Sequence, residues 1–470
     1  MTSQFFCVHG HFYQPSREDP LTEEIPLEPG ATPYRNWNER IHAQCYRPNA
    51  ELGNFEHISF DLGPTLIHWM EQADPDTLEK IIQQDRRNLE RYGVGNAMAQ
   101  AYHHTILPLS SRADKVTQVL WGMGDFECRF GHKPQGMWLP ETAVDEETLD
   151  VLVDYGISYT ILAPWQADRP DVDVSQPYWV SLPGGKKITV FFYDQDLSAL
   201  ASFHPEATVN ADTFVRQSLL PKFPAPSSGD RLVMIASDGE LYGHHQPFRD
   251  KFLAYLMDGA LKSVPLQATF PALWLKDHTP QEEIKILPNT SWSCHHGVTR
   301  WSGSCACTPH PEWKAPLREA LNRLAEAIDQ QYVEGMSAYP VDPWQLRNAY
   351  VRVLCKRTPV AELVREMVSS PLEQTQLRKI EILLAAQYER QRMFASDAWF
   401  FDDFDRIEPL NSIAYAAQAV WLTRLATGVD LGPRAVISLK RVKSWRTGLR
   451  ADRVFLHHLQ RADDYRSTLG

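Results

Sequence analysis

The sequence predicts an α/β fold, a mostly parallel sheet closed into a barrel, followed by a mainly α-helical C-terminal region. Three observations carry this. Over roughly the first 300 residues, short β-branched or aromatic runs alternate with helical segments, as strand–helix–strand units require. Polar residues suited to catalysis follow directly on the predicted strand ends, where the loops of a parallel barrel converge. Beyond about residue 310, apolar residues recur at three- and four-residue steps instead.

The predicted strands are Gln4–Val8, Ser158–Leu162, Ile188–Tyr193 and Arg231–Ala236. Each is brief, apolar and ends at polar residues. Helical patterns lie between them at Leu78–Tyr92 and Glu146–Tyr155, the second with Asp145 as N-cap and Gly156 as stop. An open doubly wound sheet would also gather its loops at strand ends, but no Gly-rich phosphate fingerprint is present. In the C-terminal part, Leu317, Leu321, Leu324, Ile328 and Tyr332 mark one amphipathic helix. Leu377–Met393 and Ile413–Leu425 repeat the pattern, Trp344–Leu354 does so more weakly, and Ala435–Leu439 reads as a strand. The division expected is a catalytic barrel over 1–305 and a helical domain over 306–470. Pro221–Asp230 and Asp168–Gly185, rich in Pro, Ser and Gly, read as surface loops.

Composition narrows the function. A net charge of -12 with scattered basic residues argues against a nucleic-acid partner. No apolar run reaches the roughly 18 residues of a membrane span, and the N-terminus lacks the pattern of a secretory signal. Seven cysteines, an odd number, fit reduced thiols, so a cytoplasmic protein is expected. The 14 Trp and 17 Tyr offer flat faces with a polar edge, which suit sugar rings as well as a large core.

Three clusters hold residues able to do chemistry. His9-Gly-His11-Phe-Tyr-Gln14-Pro15 ends the first strand, where residues 9 and 11 share a face. Trp138-Leu-Pro-Glu141-Thr-Ala143 sets a carboxylate among stiff apolar neighbours. Ser237-Asp238-Gly239-Glu240-Leu-Tyr-Gly243-His244-His245 follows a strand directly, and spacing alone does not choose between Asp238 and Glu240. Two carboxylates on strand-end loops suggest glycoside chemistry. One must protonate the leaving oxygen while the other attacks the anomeric carbon or activates water. The acid needs a raised pKa, and Glu240 is a like-charged neighbour for Asp238.

These segments resemble, in order, four motifs of glycoside hydrolase family 57, which contains α-amylase-like enzymes, 4-α-glucanotransferases and α-glucan branching enzymes. His9–Pro15 is similar to the opening motif. Gly95-Asn96 through His104-Thr-Ile-Leu-Pro108-Leu109 is similar to the second, with His104 at the family histidine. The resemblance places the nucleophile on Glu141 and the acid/base on Asp238. The C-terminal half resembles an uncharacterised domain often fused to this module, through Ser291–Trp301 and Ser396-Asp-Ala-Trp399-Phe-Phe-Asp402-Asp403. The resemblance implies an incomplete (β/α)7 TIM-like barrel, a helical domain closing over it, retention of configuration and no required metal or cofactor. Retention sets the carboxylates about 5–5.5 Å apart. Its substrate would be an α-linked oligosaccharide or polysaccharide, met by His9, His11, Gln14, His104, Trp138, Glu240 and His244, with Trp292, Trp301 and Trp399 as cleft walls.

Two rival readings stand beside it. Zinc bound by His9, His11 and Asp238 would make a metal-dependent carbohydrate enzyme, of α-mannosidase or deacetylase type. A catalytically silent carbohydrate-binding protein is the other. A further metal site, Cys294 with Cys305-Ala-Cys307 and His295, His296 or His310, is disfavoured because C-x-C is short for a zinc knuckle.

Overall fold

The computed structural model describes residues 3–223 and 229–468, so part of the Pro221–Asp230 loop lies outside the described residues. By its contacts the chain divides into two units. The first comprises Met1–Gln14, Leu27–Ala101 and Phe126–Trp292; the second comprises Pro15–Pro26, Tyr102–Asp125 and Ser293–Gly470.

The first unit is built on β1 (Gln4–Phe12), β2 (Ser59–Leu62), β3 (Ala97–Gln100), β4 (Met137–Trp138), β5 (Tyr159–Leu162), β6 (Tyr178–Ser181), β7 (Lys187–Phe192), β8 (Arg231–Asp238) and β9 (Leu266–Ala268). β1 pairs in parallel with β8 from Gln4 beside Arg231 to His11 beside Asp238. Its other edge is shared, with β9 along Gln4–Phe6 and β2 along His9–Phe12. β3 follows β2 and β4 follows β3. A Gly136–Tyr159 bridge carries the sheet to β5, which pairs with β7. The Asp194 amide donates to the Met234 carbonyl at 2.8 Å and links the end of β7 to β8. The parallel strands thus run β8-β1-β2-β3-β4-β5-β7, an incomplete (β/α)7 barrel, with β6 antiparallel beside β7.

The barrel interior follows from the two-residue period of a strand. Cys7 of β1, Met98 of β3, Ile161 of β5, Phe191 of β7 and Leu232, Met234 and Ala236 of β8 form one buried cluster. Continuing that period, His9 and His11 extend the row begun by Cys7, and Asp238 the row of β8. The lower barrel is apolar; its C-terminal mouth is polar. Crossover helices follow their local signals. Asp74 accepts from the Thr77 amide at the start of the helix Pro75–Tyr92, and Gly93 (φ 75°) ends it. Asp145 caps Glu146–Asp154 in the same way.

The second unit is helical, with long helices at Lys314–Met336, Gln374–Arg392, Ile407–Thr427 and Ala451–Thr468. One of its cores gathers Tyr332, Leu346, Leu363, Leu377, Ile380 and Leu384. A buried ionic knot adds to it: Asp114 meets Arg347 at 3.2 Å and Arg390 at 2.8 Å, and Arg390 meets Asp329 at 2.7 Å. Arg392 pairs with Glu18 at 2.6 Å and Arg461 with Asp19 at 2.7 Å. These pairs hold Pro15–Pro26 and Tyr102–Asp125 to the second unit, although both segments lie within the first 305 residues. Ala435–Leu439, expected as a strand, lies in the helix Gly432–Leu439. Its Val and Ile favour extension, but Pro433 in the first turn starts a helix whose buried Ala435 and Leu439 lie four residues apart. Among the described residues no helix is long and apolar enough to cross a membrane.

Candidate active site

The site-forming residues of the first unit stand at the C-terminal ends of its strands. His11 of β1 is in register with Asp61 of β2 on one side and Asp238 of β8 on the other. Aligned residues of neighbouring strands project to the same face, so an imidazole sits between two carboxylates in one row. Asp61 is fully buried; its Oδ2 accepts from His11 Nδ1 at 2.9 Å and its Oδ1 from His9 Nε2 at 3.2 Å. A carboxylate only accepts, so His9 carries its proton on Nε2, and its Nδ1 takes the Ser59 hydroxyl at 2.9 Å.

The two histidines titrate in opposite directions. Burial keeps His9 below the ordinary value of 6.5, outweighing the pull of Asp61. Burial also works against a charged His11. There the charge and hydrogen bond of Asp61, with the charges of Asp238 and Glu240, win and lift it from 6.5 to about 9. At neutral pH His11 is therefore an imidazolium in a row of carboxylates. Because its folded value is the higher, its contribution to stability is whole below pH 6.5 and lost as pH climbs towards about 9. Urea unfolding of His11→Gln across that window should lose most of the alkaline decline seen in the wild type. An unchanged slope would refute this charge assignment.

Glu141 lies just beyond β4 in the turn Pro140–Thr142, with φ 57°, and Thr142 follows with φ 48°. Left-handed backbone at two successive non-glycine residues costs on the order of 1–3 kcal/mol each and persists only where surroundings enforce it. Here Trp292 does so: its amide donates to the Glu141 carbonyl at 3.0 Å and its indole Nε1 to Glu141 Oε2 at 3.1 Å. Gln166 braces Thr142, accepting from its hydroxyl and donating to its carbonyl, both at 2.8 Å. The Trp292 ring meets Trp138 edge-on at 5.0 Å and His11 at 6.2 Å. Trp292 and His11 thus link the Glu141 turn to the row that holds Asp238.

Asp238 is exposed, whereas Glu240 is buried. Glu240 Oε1 accepts from Tyr46 Oη at 2.6 Å and from the Tyr13 amide at 3.1 Å, and Gln14 Nε2 donates to Tyr46 Oη at 3.1 Å. Burial, opposed by the Tyr46 hydrogen bond and reinforced by the Asp238 charge, raises Glu240 from 4.5 to about 7. Two glycines make this loop possible. A Cβ on Gly239 would lie 2.3 Å from the Phe12 ring, and one on Gly243 (φ 140°) would lie 2.2 Å from the Gln44 carbonyl.

Several expected ligand-binding residues take other parts. Trp138 and His9 have no exposed surface; their rings stack at 4.7 Å, and His11 lies 5.2 Å from the same indole. They position His11 and offer no face to a sugar. Glu240 and Gln14, both buried, support the Asp238 loop. His244, half-buried, faces Gln44 Oε1 at 2.7 Å, and burial with the charges of His245 and Arg40 lowers it to about 4. Trp292 is half-buried at the turn it stabilises. His104, Trp301 and Trp399 belong to the second unit. His104 Nδ1 lies 2.6 Å from Ser396 Oγ. Trp301 and Trp399 are corrected as cleft walls, because both are wholly buried. Trp399 Nε1 donates to the Lys314 carbonyl at 3.2 Å, and the Arg318 guanidinium covers its ring at 3.8 Å while its Nε donates to the Trp301 carbonyl.

Sequence reasoning missed Asp61, Ser59, Tyr46 and Gln100. Gln100 ends β3 beside Trp138, is buried, and among the described residues neither of its amide atoms has a hydrogen-bond partner. Asp61 was findable in principle, since Ser59-Phe-Asp-Leu62 places polar side chains two apart in an otherwise apolar run.

The family model of glycosyl hydrolase family 57 matches residues 6–287, and a domain of unknown function (DUF3536) matches residues 310–461. A 4-alpha-glucanotransferase of Thermococcus litoralis is 25% identical over 63% of this chain and 42% of its own length. The chain spans less than half the length of the curated relatives it matches. The structure of an exo-type maltose-forming amylase from Pyrococcus sp. ST04 superposes with TM-score 0.77 at 15% identity, covering 97% of this chain and 88% of that one. A branching enzyme from Pyrococcus horikoshii superposes with TM-score 0.63 at 15% identity, covering 98% and 94%. At these identities the likeness is one of fold.

Proposed function

The chain belongs to glycosyl hydrolase family 57, and we propose that it cleaves or transfers α-linked glucan chains with retention, using Glu141 as nucleophile and Asp238 as acid/base. The Glu141 carboxylate attacks the anomeric carbon while Asp238 gives its proton to the departing glycosidic oxygen. Asp238 then takes a proton from water or from a sugar hydroxyl, whose oxygen displaces Glu141 and restores the original configuration. Around them His11, held charged by Asp61, stabilises carboxylates at the mouth, and the amide of Gln100, without a hydrogen-bond partner among the described residues, suits a sugar hydroxyl.

The observation that carries this reading is the strained turn at Glu141, whose carboxylate is fixed by an indole N–H and linked through that same ring to His11 beside Asp238. A reading with zinc on His9, His11 and Asp238 has less support, because both nitrogens of His9 are already engaged by Ser59 and Asp61. We place the activity in the cytoplasm, in keeping with an odd number of cysteines.

Incubation with maltooligosaccharides and longer α-glucans, followed by product-length and linkage analysis, tests the proposal. Shortened or redistributed chains are expected, with the first-formed anomer in the α configuration by NMR. A β anomer, or no reaction with any α-glucan, would reject it.

A further inference from the structure

The start of the Ser293–Gly470 segment of the second unit holds a cluster of thiols and imidazole which the glycosidase chemistry does not use. Cys294 and His296 lie in one turn, closed by the Gly297 amide on the Cys294 carbonyl at 3.0 Å. Cys305 and Cys307 lie in another, closed by the Thr308 amide on the Cys305 carbonyl at 3.2 Å. The turns face each other, and the four ligand atoms all fall within 4.8 Å of one another.

Five of the six ligand-to-ligand separations fall within about 0.5 Å of the edges of a coordination tetrahedron. With zinc–sulfur bonds near 2.3 Å and zinc–nitrogen bonds near 2.0–2.1 Å, its edges should be about 3.8 Å for S···S and about 3.5 Å for S···N. Cys294 Sγ lies 3.3 Å from Cys305 Sγ and 3.8 Å from Cys307 Sγ. His296 Nδ1 lies 3.3 Å from Cys305 Sγ, 3.3 Å from Cys307 Sγ and 4.0 Å from Cys294 Sγ. A disulfide needs one close pair, with sulfurs about 2.05 Å apart. Three sulfurs and a nitrogen converging on one point meet the demand of a metal instead.

Two further features fit. The Cys307 amide points at Cys305 Sγ at 3.5 Å, the N–H···S contact that stabilises a ligating thiolate. Cys294 and Cys305 are buried while His296 and Cys307 are exposed, so an ion has a way in. The C-x-C spacing that speaks against a knuckle in the sequence loses its force, because each turn supplies two ligands. His310 is committed elsewhere, its ring 4.3 Å from that of Trp445.

We propose that Cys294, His296, Cys305 and Cys307 bind one zinc ion in a closed structural site. Thiolate and imidazole ligands together select zinc over harder cations, and four protein ligands leave no open position for catalysis. The three thiols give up their protons to solvent on binding, and His296 ligates as a neutral ring through Nδ1. The ion ties together a stretch whose own regular structure is slight, a single turn at Thr299–Ser302 and another at Pro311–Trp313.

The full-length chain, purified under reducing conditions without chelator, should carry about one zinc by mass-spectrometric metal analysis, and Cys294→Ser/Cys305→Ser should carry at least about tenfold less. Folding of that variant is a separate matter, so the milder Cys307→Ser supplies a second reading. Cobalt-substituted wild-type chain should show a thiolate-to-cobalt charge-transfer band, reduced by about a third in Cys307→Ser at unchanged far-UV circular dichroism. The proposal is overturned by wild-type protein with neither zinc nor a cobalt band, by a band that Cys307→Ser leaves intact, or by a Cys294–Cys305 disulfide in protein never exposed to oxidant.

Discussion

Replacing Glu141 with Gln should lower kcat on maltooligosaccharides by about 10⁴-fold or more, with KM changed by less than about threefold. The amide has no charge with which to attack the anomeric carbon. It keeps an oxygen for the Trp292 indole, which donates to Glu141 Oε2 at 3.1 Å, so the left-handed turn should survive and binding with it. A companion variant sharpens the test. Glycine adopts the φ of 57° at this position without strain, so Glu141→Gly should fold, and the space it opens admits azide. Azide would attack the anomeric carbon as Asp238 protonates the leaving oxygen, releasing a β-glycosyl azide. A Glu141→Gln enzyme that retains more than about a tenth of wild-type turnover would remove Glu141 from the mechanism.

Asp238→Ala should lose about 10²–10⁴-fold on natural glucans, whose leaving oxygen needs a proton. Glycosyl fluorides need none, so with them formation of the glycosyl-enzyme should stay within about tenfold of wild type while its breakdown slows. Pre-steady-state kinetics with a maltosyl fluoride separates the two steps. The same experiment on Glu240→Gln decides between the neighbouring carboxyls. Glu240 is buried and bound by Tyr46 and the Tyr13 amide, which suits a support for the Asp238 loop. The assignment is reversed if Glu240→Gln shows the leaving-group dependence and Asp238→Ala does not.

His9, His11 and Asp238 were legible because each lies on a strand long enough to be seen, whereas Glu141, beyond the two-residue β4, rested on the family resemblance. β1 and β8 have nine and eight residues, and their alternation carries His9, His11 and Asp238 to the barrel mouth. β2, β3 and β4 have four, four and two residues, too few to register a period of two, and with them Asp61 and Gln100 were lost. Counting Trp as a sugar platform failed at Trp301 and Trp399, since their rings fill the helical unit. An aromatic residue reads the same in sequence whether it faces solvent or core.

What the sequence by itself determined is local in origin: the alternation of short strands with capped helices, and the change to helical periodicity near residue 310. Those features depend on spacing and propensity within about ten residues, which a chain displays before it folds. Only the tertiary structure decided which residues meet. Asp61 joins His9 and His11 across some fifty positions, and Trp292 reaches Glu141 across 151. Two turns eleven residues apart bring Cys294 to Cys305. Such pairings arise from strand register and chain closure, and burial and neighbouring charge, the quantities that set the charge on His11 and Glu240, exist only once the chain is closed.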